Sequence, residues 1–281
     1  MQMRLLFLTA LLCAVFSAEG QNAPLPEDST AYEQAATYPY FPLDPRGGDI
    51  PFRRNLKSFC PRPSDQGNTN RCVGDALAHL LAICVSQRCQ IHSPGEHAFS
   101  ASFIFNLVKL DEKGANGAYV SHGLKLLKDT GDCSRAFFSN AHPVRKKPGK
   151  EVVAKALPFR IALFEKLFST KAPYREKLDQ LRTSLANNQP VVVAMFVPAD
   201  FKNRKHPIDA DAWSSRVPKN GHAMVLVGYD EETRTFEILN SYGNQWGDKG
   251  FFKIGYDDLV ANLGFAYHIE LPEDFRCAFD K

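Results

Sequence analysis

The chain contains no Cys-x-x-Cys pair, which removes the usual spacing signal for a zinc site. It also lacks a charge excess. Across 281 residues, 34 Lys and Arg stand against 31 Asp and Glu, a net +3. So even a balance supplies no field that would draw nucleic acid or an anionic membrane surface. The one basic run, Arg145 to Lys150, is broken by Pro148 and Gly149 and reads as a solvated loop. No internal repeat is present. Beyond residue 16 no long apolar run occurs either, so stable membrane insertion is not expected.

What is present begins at the N-terminus. Arg4, an apolar stretch from Leu5 to Phe16, and the small residues Ser17, Ala18 and Gly20 have the layout of a secretory signal over residues 1–20. The expected destination is extracellular or periplasmic. Removing the signal discards Cys13 and leaves Cys60, Cys72, Cys84, Cys89, Cys133 and Cys277, and disulfides are the default use of cysteine after export. If Cys72 stays reduced, at most two bridges form. Cys84 and Cys89 are close enough to staple a helix end, although connectivity stays open. Residues 21–48 are rich in Pro, Ala and small or acidic residues without a period, and read as a mobile leader or an extended surface segment.

From residue 49 to 281 the pattern is that of a folded domain. Val73, Ala76, Leu77, Leu80, Leu81 and Cys84 follow helical spacing and predict a buried helix with Cys72 in its first turn. Further helices are expected over residues 100–110, 120–128 and 178–187. The composition then changes, with strands expected at 191–197, 223–229, 235–240, 251–254 and 266–270. Helices first and strands later predict an α+β protein of two lobes meeting at a cleft, one over about residues 60–150 and the other over about 180–275.

Four residues assemble a chemistry. A thiolate is the reactive form of cysteine, and a helix N-terminus and a nearby imidazolium both favour it. Cys72 satisfies the first condition by position, and His222 supplies the second if folding brings it near. Asn240 can fix the orientation of the ring. The Gln66 amide, with the Cys72 backbone N–H, can hold the oxyanion of a tetrahedral intermediate, each such donor being worth about 3–4 kcal/mol of barrier. A nucleophile, a base, an orienter and an oxyanion donor are the parts acyl transfer requires, with no metal or organic cofactor.

The surrounding residues add a resemblance. Asp65-Gln66-Gly67 followed by Cys72, Asn220-Gly221-His222-Ala223 running to Val227-Gly228-Tyr229, and Asn240-Ser241-Tyr242-Gly243-Asn244-Gln245-Trp246-Gly247 resemble the three active-site motifs of the papain-type cysteine peptidases. Gly114-Ala115-Asn116-Gly117-Ala118 is similar to their substrate-pairing glycine segment. The resemblance spans roughly residues 50–270. It implies a papain-like two-lobed fold with a helical L-lobe, a β-rich R-lobe and the active site between them. It also implies Cys72 as nucleophile, His222 as acid and base, Asn240 as orienter and Gln66 as oxyanion donor. Trp246 would wall the leaving-group side, Gly117 and Ala118 would lie along the substrate backbone, and Gly221 would border the pocket for the second residue upstream of the cut.

There are departures from the family pattern. Thr69 and Ala115 stand where a bridging cysteine pair is usual, Asn70-Arg71 replace Gly-Ser before the nucleophile, and Val73 replaces a tryptophan. Tyr242 takes the place of the aromatic over the Asn–His contact. Arg71 is expected either to favour the thiolate or to narrow the cleft and select acidic or small groups. Asp75 opposes it electrostatically. The leader is too short for a long helical propeptide, so no separately folded inhibitory domain is expected, nor a large gain of activity on deleting it.

The resulting expectation is a secreted, monomeric thiol endopeptidase acting on polypeptides, with a protein inhibitor as a further partner. A papain-like acyl transferase, deamidase or non-peptide amide hydrolase is the first rival, motivated by the altered surroundings of Cys72. A catalytically silent binding module is the second.

Overall fold

The computed structural model describes residues 24–40, 42–43, 49–95, 98–204, 213–214 and 219–277. The expected secretory signal lies outside the described residues. A short helix α1 (Ser29–Gln34) opens the described chain, its first N–H groups capped by the Asp28 carboxylate. Strand β1 (Arg53–Asn55) precedes the helices α2 (Cys72–Arg88), α3 (Ala101–Val108), α4 (Val120–Asp129) and α5 (Lys150–Ala156). Strand β2 (Leu163–Lys166) and helix α6 (Tyr174–Ala186) follow. The chain then builds β3 (Val191–Pro198), β4 (Lys219–Asp230), β5 (Thr235–Leu239), β6 (Phe251–Gly255), helix α7 (Tyr256–Asn262) and β7 (Leu263–Glu270).

The strands form one antiparallel sheet in the order β2-β7-β3-β4-β5-β6, with β1 also pairing β4. Val191 to Met195 of β3 are all buried. That continuous apolar run fits a central strand covered on both faces. Helix α2 is likewise buried on nearly every side, from Val73 through Ile83. It packs against β4 and carries α3 and α4 on its other flank. Gly74 explains how α3 comes so close: a Cβ there would sit 2.4 Å from the Ala101 carbonyl oxygen. Its cost in helix propensity, about 1 kcal/mol against Ala, is offset by this crossing.

The architecture is the α+β arrangement expected from the sequence, helices early in the chain and an antiparallel sheet built mostly from its later half. Buried apolar residues of the helices and of the sheet join in one continuous core, with a satellite at Phe103, Cys133, Phe138 and Ala156. The cysteine pairing differs from the local staple considered above. Cys89, at the end of α2, is bridged to Cys277 across a separation of 188 residues, and Cys84 is free.

Candidate active site

Cys72 is the first residue of α2, and Arg71 before it occupies the N-cap position without a side-chain cap. Its sulfur is met by the backbone N–H of Ala223, and by those of Val73 and Cys72 itself. Ala223 follows His222 in β4, so the packing of α2 on β4 sets the thiol beside the imidazole's own strand. His222 Nε2 donates to Asn240 Oδ1 at 2.8 Å, and Oδ1 also accepts the Ser241 N–H at 2.8 Å. Asn240 is fully buried at the end of β5, held by its N–H to the Gly250 carbonyl. With the proton on Nε2, the ring has Nδ1 free to act as base.

The loop carrying Gln66 is sewn to the turn after Asn240. Gln66 N–H donates to the Ser241 carbonyl at 2.9 Å, Gly243 N–H to the Ser64 carbonyl at 2.9 Å, and Ser241 Oγ to Gln66 Oε1 at 2.6 Å. Gln66 Nε2 spends one N–H on the Thr69 carbonyl at 2.8 Å. The second N–H is the one an oxyanion would use. Ser241 is thus a member of the site that sequence reasoning passed over, hidden in a segment that reads as a plain turn.

Aromatic rings enclose the imidazole. Tyr242 stacks on His222 with centroids 5.0 Å apart and planes at 17°, and Trp246 meets Tyr242 edge-on at 5.4 Å. Phe201, also unforeseen, touches Trp246 at 5.1 Å, Tyr242 at 6.1 Å and His222 at 6.4 Å. This dry surrounding sets the protonation states. Burial pushes the Cys72 thiol up to about 11, with the Ala223 N–H opposing and the Asp75 charge adding to the rise. Burial also pulls His222 down to about 4, against the Asn240 hydrogen bond. In this dry surrounding, burial works against charge on both Cys72 and His222.

Residues 24–27 pack against Gly221 of β4, Gly264 of β7 and the first turn of α4. A Cβ on Gly221 would fall 2.1 Å from the Pro24 carbonyl oxygen, and one on Gly264 2.4 Å from Leu25 Cδ1. Val120 N–H donates to the Pro26 carbonyl at 3.0 Å. The buried Glu27 carboxylate accepts the Ser121 N–H at 2.9 Å and Oγ at 2.6 Å. Farther along, Tyr32 is fully buried in α1 and donates to the Phe168 carbonyl at 2.7 Å. Residues 24–40 are strapped to the fold along their length.

Of the other residues singled out in the sequence, Gly117 lies near the nucleophile's loop, and its φ of +69° suits glycine, whereas an added Cβ would meet the Asn70 carbonyl only at an ordinary 3.6 Å. Ala118 is buried and pairs in backbone register with Lys109. Arg71 is held by the fold, its guanidinium donating to Asp75 at 2.9 Å, Ser102 Oγ at 3.0 Å, and the Asn140 and Asp65 carbonyls at 2.8 and 3.2 Å. It is buried, and its charge is paired with Asp75 beside the loop that carries Gln66.

Residues 64–266 match the family model described as papain family cysteine protease. An uncharacterised peptidase C1-like protein of Acanthamoeba polyphaga mimivirus is 24% identical over 200 residues, covering 68% of this chain and 63% of its own length. The gamete and mating-type specific protein A of Dictyostelium discoideum is 27% identical over 169 residues, covering 59% of this chain and 34% of that protein. The chain thus spans less than two thirds of the length of the curated relatives it matches first. Among solved structures, xylellain, a cysteine protease from Xylella fastidiosa, superposes with a TM-score of 0.68 at 23% identity, covering 86% of this chain and 93% of that one. The bromelain protease of Ananas comosus in complex with the E64 inhibitor gives 0.62 at 14% identity, covering 79% and 100%. With most of the chain inside the family match, this protein belongs to the papain family of cysteine proteases.

Proposed function

We propose that the protein is an exported cysteine peptidase that cuts polypeptides through an acyl-enzyme on Cys72. His222 takes the thiol proton and passes it to the leaving amine. It then activates the water that releases the acyl group. Asn240 keeps the ring in the reactive tautomer, and the Cys72 N–H with the second Gln66 N–H receives the oxyanion. The observation that carries this reading is the His222–Asn240 bond beside a thiol at the head of α2, with the Ala223 N–H already directed at the sulfur. Export is supported by the apolar run from Leu5 to Phe16 and by the Cys89–Cys277 bridge.

The strapped form is latent on this reading. Pro24 and Leu25 fill the space over Gly221 and Gly264, where the acyl side of a substrate would lie, and the burial they complete works against charge on Cys72 and His222. This reverses the expectation that removing the leader changes little. Displacing the strap admits water, and hydration lets Cys72 and His222 exchange a proton to form the reactive pair. Peptide hydrolysis and covalent labelling by an epoxide probe, measured on the full chain and on Cys72→Ala, test the proposal. Both activities are expected to vanish in the variant while its circular dichroism is retained. Undiminished turnover by Cys72→Ala would sink the reading, and a unit mass gain without new chain ends would favour deamidation instead.

A further inference from the structure

The leaving-group end of the cleft is crossed by a lysine. Lys202 sits in the 3-10 turn Phe201–Asn203, and its Nζ reaches the opposite wall of the cleft, donating to the Gly67 carbonyl at 2.5 Å and contacting Asn68 Oδ1 at 3.4 Å. Gly67 and Asn68 belong to the loop that carries Gln66. The turn is well founded, because Phe201 is 1% exposed and packs among Trp246, Phe252 and Trp213 at 5.1–5.8 Å. The strap lies over Gly221 and Gly264, whereas the bridge stands by Phe201 and Trp246, the side that the family resemblance assigns to the leaving group.

Two features give the ammonium a purpose beyond a clasp. Both of its acceptors are neutral oxygens, and among the described residues it pairs with no carboxylate. Lys202 is exposed, so water and the Tyr242 ring share its charge with these oxygens, and an arriving anion meets no competing carboxylate among them. Its position is also close to the chemistry. Nζ lies 5.9 Å from the Tyr242 ring centre, and that ring is 5.0 Å from the imidazole. Extended chain rises about 3.3 Å per residue, so a leaving fragment of one to three residues spans the interval.

We propose that Lys202 receives the free carboxylate at the C-terminal end of the substrate, so that the enzyme releases short carboxyl-terminal fragments rather than cutting freely within chains. This rests on the peptidase reading above and replaces the endopeptidase expectation drawn from the sequence. A short fragment ends at the bridge and exchanges two neutral acceptors for an ionised one, so that both partners of the bond carry charge. A longer chain must break the bridge and offers nothing in return.

The test compares one peptide with two residues beyond the scissile bond, prepared as the free acid and as the C-terminal amide. The full chain and its Lys202→Met and Lys202→Arg variants are each assayed, all carrying Leu25→Gly and Pro26→Gly so that the strap does not limit access. The full chain is expected to favour the acid by about tenfold in kcat/KM, the scale of one charge-assisted contact. Lys202→Met should bring the acid-to-amide ratio close to one, and Lys202→Arg should keep it well above one. Equal cleavage of acid and amide by the full chain, or a ratio unmoved in Lys202→Met, overturns the proposal while leaving the peptidase reading in place. Failure of the full chain to cleave either peptide, even with the strap so loosened, overturns both.

Discussion

At the residue scale, Arg71 and its partners show how a position beside the nucleophile can serve the fold. Its guanidinium ties together the start of α2, the head of α3 and the loops at Asp65 and Asn140. In the relatives that the sequence resembles, a cysteine bridge stands in this region, where Thr69 and Ala115 stand here. Asp75, fully buried, is held by Arg71 and by Ser64 Oγ at 2.6 Å. Removing the arginine strands that carboxylate without its cation, and such losses cost about 3–5 kcal/mol. Arg71→Met should therefore lower the denaturation midpoint sharply. Arg71→Met combined with Asp75→Asn should recover part of the loss, as equilibrium denaturation of the two variants would show. His79 belongs to the same cluster, its Nε2 accepting the Ser64 N–H at 3.2 Å. Burial holds it neutral, down to about 3 from 6.5. The folded protein binds fewer protons there than the unfolded chain, so this contribution to stability is complete above about pH 6.5 and drains away as pH falls towards 3. His79→Gln keeps an acceptor for Ser64 without the titration. The drop in melting temperature between pH 7 and pH 4.5 should be smaller in that variant than in the wild type.

At the element scale, the leader is the segment whose behaviour departs most from its composition. Nothing periodic marks residues 24–40, yet Tyr32 anchors them in the core and Glu27 fastens them to the first turn of α4. Cutting away all of residues 21–48 would strip the buried Tyr32 from its site, so a milder change isolates the effect of the strap. Leu25→Gly with Pro26→Gly removes the contact with Gly264 and loosens the chain over Gly221 while leaving α1 docked. That variant should label with an epoxide probe at least several-fold faster than the wild type at equal thermal stability, and equal rates would mean the strap does not limit access. The strands from β3 to β7 were legible because each is a run of β-branched and aromatic residues closed by turn signals. Helix α2 was legible from its spacing. Helix α7, at seven residues, and β2, at four, are too short for a period to emerge, and contacts made in three dimensions define them. In the site, Cys72, His222 and Asn240 stood out through their motifs. Lys202 did not, because its acceptor lies 135 residues away in the chain and is a backbone oxygen that any residue would supply. The partners of Arg71 were hidden for a different reason: adjacency in sequence says nothing of direction, and its side chain reaches Asp75 one helical turn on.

At the scale of the whole molecule, the Cys89–Cys277 bridge joins the far end of the nucleophile helix to the tail that follows β7. Between these two residues lie α3 to α7 and every strand but β1, so the cross-link closes nearly the whole folded unit into one loop. In the chain-entropy account a long closed loop constrains the unfolded ensemble most, and removing a native bridge costs about 2–5 kcal/mol. The bridge does not act alone, since Arg88 at the end of α2 also donates to the Glu273 carbonyl at 3.2 Å. Its position is at the end of α2 opposite Cys72, remote from the thiol, the imidazole and the strap. The loss should therefore fall on stability and leave chemistry untouched. Cys89→Ser with Cys277→Ser is expected to unfold at lower denaturant with little change in kcat/KM at 25 °C. A bridge that instead held the cleft in register would show itself by lowering kcat/KM in the folded variant, measured well below its unfolding transition. The double substitution is preferred to reduction of the wild type. Reductant also alters the state of Cys72, and a change in activity would then have two sources.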